Sequence, residues 1–326
     1  MRKRYQKLTV LALVIILLLG LTGCREKEVV TIKVGVAIYR FDDNFMSLYR
    51  YELEQYFISL NNEDYNYALT IVDSQFDQNL QDQQIDDFIS QRFDVLIVNM
   101  VKKNATADIV AKCKAANIPV VFINREPEDP EDLNIWSGEE TYVGSDARDS
   151  GVYQGEIILD LPNHGDLNNN GSLDYIMLIG DPNNTDAQFR TEYSIGVIKN
   201  AGIKVNKLGE KVCNWQSDEA EKAMADFLNK FSKHEIDVIF CNNDSMAIGA
   251  LTALKAAGYE VGKNVYLVGV DAIPEAIAAI ENDEMTGTVL NDHVGQAHKA
   301  ADVAIALLNG EEVVPYYWVN YKKITK

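Results

Sequence analysis

Polar side chains recur just past short apolar runs of this chain: 42–45 (Asp42, Asp43, Asn44, Phe45), Asn99, 124–126 (Asn124, Arg125, Glu126), the stretch 181–190, 242–244 (Asn242, Asn243, Asp244), Asp271, and 291–292 (Asn291, Asp292). A single cluster of this kind would be turn chemistry, because Asn and Asp commonly close strands. Recurrence along the whole chain, dominated by amides and carboxylates, points instead to one polar cleft. A sugar hydroxyl both donates and accepts, so a site that holds it well combines carboxylate acceptors, a forked arginine donor and amides that do both. Asp43, Asp186, Asp271, Arg190, Asn99, Asn184, Asn243 and Asn291 supply all three. The apolar C–H faces of a pyranose need flat surfaces, which Phe45 and Trp215 offer, Trp215 standing in the polar context Cys213-Asn214-Trp215-Gln216-Ser217. An unpaired buried polar group costs roughly 1–3 kcal/mol, so such a site rejects solutes with misplaced hydroxyls.

Paired carboxylates would also serve glycoside hydrolysis, which needs one carboxyl with a raised pKa and one base at a set separation. Arg190, four residues after Asp186, favours the ionised form there and argues against a proton donor, so no catalytic residue is assigned. His164, His234, His293 and His298 have no mutual spacing that suggests catalysis or zinc.

A second motif runs Asp166, Asn168, Asn170, Gly171, Ser172, Asp174. It follows the EF-hand calcium loop at positions one, three, five, six and nine, with Ser172 able to lend its carbonyl. The twelfth position fails, being Met177 rather than a bidentate glutamate. From local sequence a calcium loop and an Asn/Gly-rich surface turn remain equally open.

The elements that must position these residues alternate. VGVAIYR, ALTIVDS, DVLIVNM and PVVFIN are separated by amphipathic stretches at 43–61, 77–91 and 104–117. Beyond a polar, acidic loop at 126–140 a second series follows: DYIMLIG, a helix at 186–201, a segment at 203–213, a helix at 216–232, DVIFCNN, a helix at 244–257, VYLVGVD, a helix at 273–282, and GTVLND. Near-continuous Val/Ile/Leu runs spaced by helix-length patterns predict buried parallel strands, hence an α/β chain of two doubly wound parallel-sheet lobes joined by a hinge. Ligands gather beyond the carboxyl ends of such strands, and two facing lobes would form the walls of one cleft.

The N-terminus carries an export signal: Arg2, Lys3, Arg4 and Lys7 precede an apolar core from Leu8 to Leu19, too short for a transmembrane helix. It ends Leu21-Thr22-Gly23-Cys24, similar to the lipobox of bacterial lipoproteins, which predicts cleavage before Cys24, its lipidation, and anchoring on the extracytoplasmic face of the cell membrane. The net charge of −19 disfavours a nucleic-acid partner, which needs a basic footprint. A transcriptional repressor would need a helix-turn-helix where the signal stands. Cys113, Cys213 and Cys241 are an odd number without regular spacing, so core packing is expected of them rather than a disulfide framework.

Together, YRFDDNFMS (39–47), FINREP (122–127), DAQFRTEY (186–193), NNDSMAIGAL (242–251), GVDAIPEA (269–276) and GTVLND (287–292) resemble, in order, the periplasmic galactose/glucose-binding proteins that feed sugar ABC importers. The resemblance runs from about Ile32 to Val319 and implies a periplasmic binding protein type I fold. It implies hexose contacts at Asp43, Phe45, Asn99, Asp186, Arg190, Trp215, Asn243, Asp271 and Asn291, with Phe45 and Trp215 sandwiching the ring. Asp43, Asn99 and Asn291 would act from one wall, and Asp186, Arg190, Trp215, Asn243 and Asp271 from the other. Asn184 replaces the family's usual histidine. It further implies a structural calcium held by Asp166, Asn168, Asn170, Ser172 and Asp174, with the last carboxylate supplied by Asp237. The implied division is a signal at 1–23, a linker at 24–30, a first lobe of 31–143 plus 291–314, and a second of 144–290 plus 315–326. Partners implied are a monosaccharide and a membrane ABC permease, for a monomer; a chemoreceptor or sensor kinase is the alternative listener.

Overall fold

The computed structural model describes residues 29–326, so Cys24 and the signal before it lie outside the described residues. Among the described residues no helix is long and apolar enough to cross a membrane.

The first lobe opens with β1 (Val30–Ile38), α1 (Asn44–Leu60), β2 (Tyr65–Asp73), α2 (Gln78–Ser90), β3 (Val95–Val98), α3 (Thr106–Ala116), β4 (Val120–Ile123) and β5 (Glu140–Gly144). After the second lobe the chain returns as α9 (His293–Leu308) and β11 (Tyr316–Trp318). The six strands form one parallel sheet in the order β11-β5-β4-β3-β1-β2. All four residues of β3 and of β4 are buried, because alternate side chains feed two different cores. Val95, Ile97, Val121 and Ile123 meet α1 and α9 on one face. Leu96, Val98, Val120 and Phe122 meet α2 and α3 on the other, with the Cys113 thiol among them.

The second lobe holds α4 (Ala147–Leu159), β6 (Leu173–Ile179), α5 (Thr185–Asn200), β7 (Val205–Val212), α6 (Ser217–Lys230), β8 (Val238–Cys241), α7 (Asp244–Ala256), β9 (Tyr266–Val268), α8 (Pro274–Glu281), β10 (Thr288–Leu290) and β12 (Lys322–Ile324). Its parallel sheet runs β7-β6-β8-β9 and continues through single bridges to the antiparallel pair β10-β12. Ile176, Leu178, Ile239 and Cys241 face α6 and α7, while Tyr175, Met177, Val238 and Phe240 face α4 and α5. Each fully buried side chain of this size contributes about 1.5–3 kcal/mol.

Two helices, α4 and α9, were not among the elements expected from the apolar pattern. In α4 the reason is Gly155: a Cβ there would stand 2.5 Å from the Ser194 carbonyl, so α4 and α5 approach through bare backbone rather than through an apolar stripe. The chain passes between lobes at 145–146, 291–292 and 319–321. The last crossing corrects the expectation that residue 315 begins second-lobe chain. β11 still pairs with β5, and the Val319 N–H still donates to the Gly144 carbonyl at 2.8 Å, so the chain leaves the first sheet only afterwards.

Candidate functional site

Both walls of the interlobe cleft form where parallel strands run out into helix N-termini. Three of the side chains there cap helices. Asp43 opens α1, accepting the Met46 N–H at 2.8 Å and, on its other oxygen, the Tyr39 hydroxyl at 2.5 Å. Asn184 opens α5 by accepting the Asp186 N–H at 3.0 Å, and Asn243 opens α7 by accepting the Met246 N–H at 3.0 Å. Capping explains why these residue types stand there, and it fixes each side chain before any ligand arrives. With one lone pair of its oxygen committed to the cap, the Asn184 amide keeps both N–H donors and a second acceptor site, as the sequence suggested.

Arg190, on the first turns of α5, organises the second wall. It reaches Asp186 at 3.2 Å, the Asn242 carbonyl at 2.8 Å and the Tyr321 hydroxyl at 3.2 Å, stands 3.8 Å from Asp271, and lies 5.7 Å from the Trp215 ring centre. Burial pushes the Asp186 carboxyl up and the Asp271 carboxyl well up, and Arg190 offsets part of both. Arg190 favours the ionised form of Asp186, as the sequence suggests, but desolvation is the larger effect and acts the other way.

Site residues hold strained backbone. Asn124, Trp215 and Asp271 sit at φ +62°, +68° and +123°, a region non-glycine residues occupy at about 1–3 kcal/mol each. The turn at Asp271 is held by Asp244, whose carboxylate accepts the Ile273 N–H at 3.1 Å and the Thr288 hydroxyl at 2.7 Å, and whose pKa burial raises to about 7. Trp215 lies flat on Gly180, where a Cβ would come within 2.3 Å of the ring.

The cavity between the walls has a volume of about 30 Å³. It is lined by Asp43, Phe45, Asn184, Asp186, Arg190, Trp215, Asn243, Asp271 and Asn291, all expected from sequence, and by Tyr39, Asn124 and Arg125, which were not assigned there. Asn291 stands in the second crossing rather than on the first-lobe wall, and its amide donates to Asp271 at 3.2 Å. Asn99 does not line the cavity. It is fully buried behind Asn124, donating to the Asn124 side chain and to the Ile123 carbonyl, both at 3.1 Å, so it positions Asn124 instead. The signal for Asn124 and Arg125 was the Asn124-Arg125-Glu126 cluster itself, and Tyr39 ends the first apolar run just before Asp43.

Contacts between the lobes flank the cavity. Arg125 pairs with Asp181 at 3.0 Å, the Thr185 hydroxyl donates to the Glu126 carbonyl at 3.2 Å, and Arg148 reaches the Glu126 carboxylate at 3.2 Å. The lining is correspondingly buried: Asp186 and Arg190 are each 3 % exposed. Among the residues that line the cavity, Arg125 Nε and Nη2, Arg190 Nε and Asp186 Oδ1 are buried without a protein partner.

The 166–174 loop, for which a structural calcium is implied, closes on hydrogen bonds of its own. Its backbone turn is in place, with the Asn170 and Gly171 N–H groups donating to Asp166 at 3.2 and 2.9 Å, and Ser172 contributes its N–H to the Asn170 side chain at 2.8 Å. Yet Asp237 spends both oxygens on the N–H groups of Leu167, Asn168 and Asp174, and the Asn168 and Asn170 amides donate to Asp174 at 3.1 and 2.6 Å. Among the described residues no three acidic or His/Cys side chains converge as metal ligands.

Compared with known proteins, residues 34–312 match the periplasmic binding protein domain. The chain is 37 % identical over 283 residues to the D-galactose/methyl-galactoside binding periplasmic protein of Haemophilus influenzae, covering 86 % of this chain and 82 % of that one. It is 32 % identical to a putative rhizopine-binding protein of Rhizobium meliloti over 90 % of each chain. A Bacillus halodurans ABC transporter solute binding protein, solved with bound myo-inositol, superposes with a TM-score of 0.78 at 27 % identity, covering 90 % of this chain and 94 % of that one. A galactofuranose binding protein superposes with a TM-score of 0.80 at 19 % identity, covering the same shares, a likeness of fold alone. With the match spanning both lobes and the cleft between them, the chain belongs to the periplasmic binding protein family.

Proposed function

We propose that this protein is a sugar receptor of an ABC importer that closes on a neutral hexose, galactose or glucose, and hands it to a membrane permease. The observation that carries this is the buried two-walled cavity, in which Asp43, Asp186, Asp271, Arg190 and amides converge with Phe45 and Trp215. Such a set pairs the donors and acceptors of several hydroxyls at once. Both arginines are already paired with carboxylates, Arg125 with Asp181 and Arg190 with Asp186, so the lining disfavours uronates and sugar phosphates. The 37 % identity to a galactose-binding relative favours a hexose. Lipidation at Cys24 would keep the receptor beside its permease on the extracytoplasmic face.

Hydrolysis is disfavoured. A glycosidase needs two carboxyl groups set apart across the scissile bond, whereas Asp186 and Asp271 both stand against the one Arg190 guanidinium, at 3.2 and 3.8 Å.

Calorimetric titration of residues 25–326 with galactose, glucose, ribose and myo-inositol tests the proposal. Saturable binding of either hexose, abolished in Asp271→Ala, is expected. Binding of myo-inositol or ribose alone would overturn the hexose assignment and keep the receptor; turnover of a nitrophenyl glycoside would overturn the receptor.

A further inference from the structure

We infer that Arg125 and Asp181 form a latch that holds the lobes closed, and that Arg125 ties the latch to the ligand. Arg125 follows β4 of the first lobe and Asp181 follows β6 of the second, and their 3.0 Å ion pair is buried, with each side chain 1 % exposed. The rest of Arg125 is fixed within its own lobe. Its Nη1 also donates to the Val101 carbonyl at 2.7 Å, and its guanidinium stacks 3.7 Å from the Tyr39 ring centre. Asp181 is likewise oriented by its own lobe, accepting the Asn183 N–H at 2.9 Å, and it does not line the cavity. Opening the cleft therefore breaks, beside the more exposed Arg148–Glu126 pair, a buried ion pair between two side chains that stay in place, which is what a latch requires.

The coupling lies in what Arg125 lacks. Its Nε and Nη2 are buried without a protein partner, and Arg125 lines the cavity. Closing the latch buries those donors, which is costly when they stay unpaired and becomes favourable when a ligand oxygen accepts from them. A ligand can shift the open–closed balance only by binding one state better, and Arg125 supplies that difference.

This inference rests on the receptor proposal for its ligand, but its test separates the two. Asp181→Asn keeps the oxygen that accepts from Asn183 and loses the charge facing Arg125. Lobe separation is read with spin labels on cysteines introduced at exposed Glu54 and Glu221, alongside affinities for the sugars that bind. We expect Asp181→Asn to weaken every sugar by a common factor of about tenfold or more, consistent with loss of a buried charge pair, and to lengthen the label distance without sugar. Arg125→Met should also change the rank order of sugars, and the double variant should match Arg125→Met alone. Wild-type affinities and distances in Asp181→Asn, or additive losses in the double variant, would overturn the latch. Should no sugar bind the wild type, the hexose proposal fails, and the ligand-free label distance still decides the latch. Arg125→Lys, which retains the charge, serves if Asp181→Asn does not fold, and is expected to lengthen the distance less than Arg125→Met.

Discussion

Gln296 donates to Asn291 at 2.6 Å and to the Ser145 hydroxyl at 3.0 Å, so one buried amide ties the first crossing to the second at the edge of the sugar site. Asn291 in turn donates to Asp271. A ligand that engages Asp271 or Asn291 therefore pulls on a network whose other end is the hinge.

Gln296→Ala leaves Asn291 and Ser145 with unpaired buried groups, each worth about 1–3 kcal/mol. We expect sugar affinity to fall about tenfold and amide hydrogen exchange at 145–146 and 291–292 to speed up. Exchange unchanged at both crossings would show that the tie does not stiffen the hinge.

Gly180 is a packing requirement of Trp215. Gly180→Ala would put a methyl group where the indole lies, and because Trp215 sits at φ +68° its backbone has little freedom to retreat. The ring should tilt into the cavity, weakening hexose binding by more than tenfold and shifting Trp fluorescence in the ligand-free protein, while overall stability falls by about 1–3 kcal/mol. Unaltered emission with normal binding would show that Trp215 is not part of the site.

How much of this was legible in the sequence differs by kind. The central strands could be read because burial on both faces leaves runs such as VLIV and VIFC with no polar interruption. Most cavity residues could be located because a doubly wound lobe puts its ligand groups just past its strands, and Asp43, Asn184 and Asn243 are the very types that cap the helices beginning there. What resisted depends on neighbours distant in the chain. Asn99 and Asn124 look alike in sequence, and only the pairing of β3 with β4 decides which faces the cavity and which supports it. The role of Arg125 needs Asp181 from the other lobe, and α4 is a helix whose inner face is glycine against α5.

For the 166–174 loop, the hydrogen bonding predicts independence from calcium. The amides of Asn168 and Asn170 stand against Asp174, and Asp237 accepts three backbone N–H groups, so the turn closes on itself. Melting with calcium or with EGTA should give the same midpoint within about 1 °C, and terbium should show no sensitised luminescence. A rise of several degrees with calcium, about 1–2 kcal/mol for a chain this size, would mean that Asp237 turns to a cation.

Sugar binding should take up protons near neutral pH, with Glu126 as the main source. Glu126 leaves β4 of the first lobe and is covered from the second by Arg148 and by Thr185. Burial raises its pKa to about 7, Arg148 pulls the other way, and Asp186 and Asp146 add to the rise. A carboxyl whose pKa is higher in the closed form holds more protons there than in the open form, where water reaches it. Its contribution to closure is therefore complete below the ordinary glutamate range and is lost as pH rises through about 7. Affinity is expected to weaken between pH 5 and pH 8 by about one to two orders of magnitude, and Glu126→Gln should flatten that slope. Calorimetry at pH 7 in two buffers of different ionisation enthalpy reads the proton directly. Equal heats in both buffers, or a slope that persists in Glu126→Gln, would place the titrating group elsewhere.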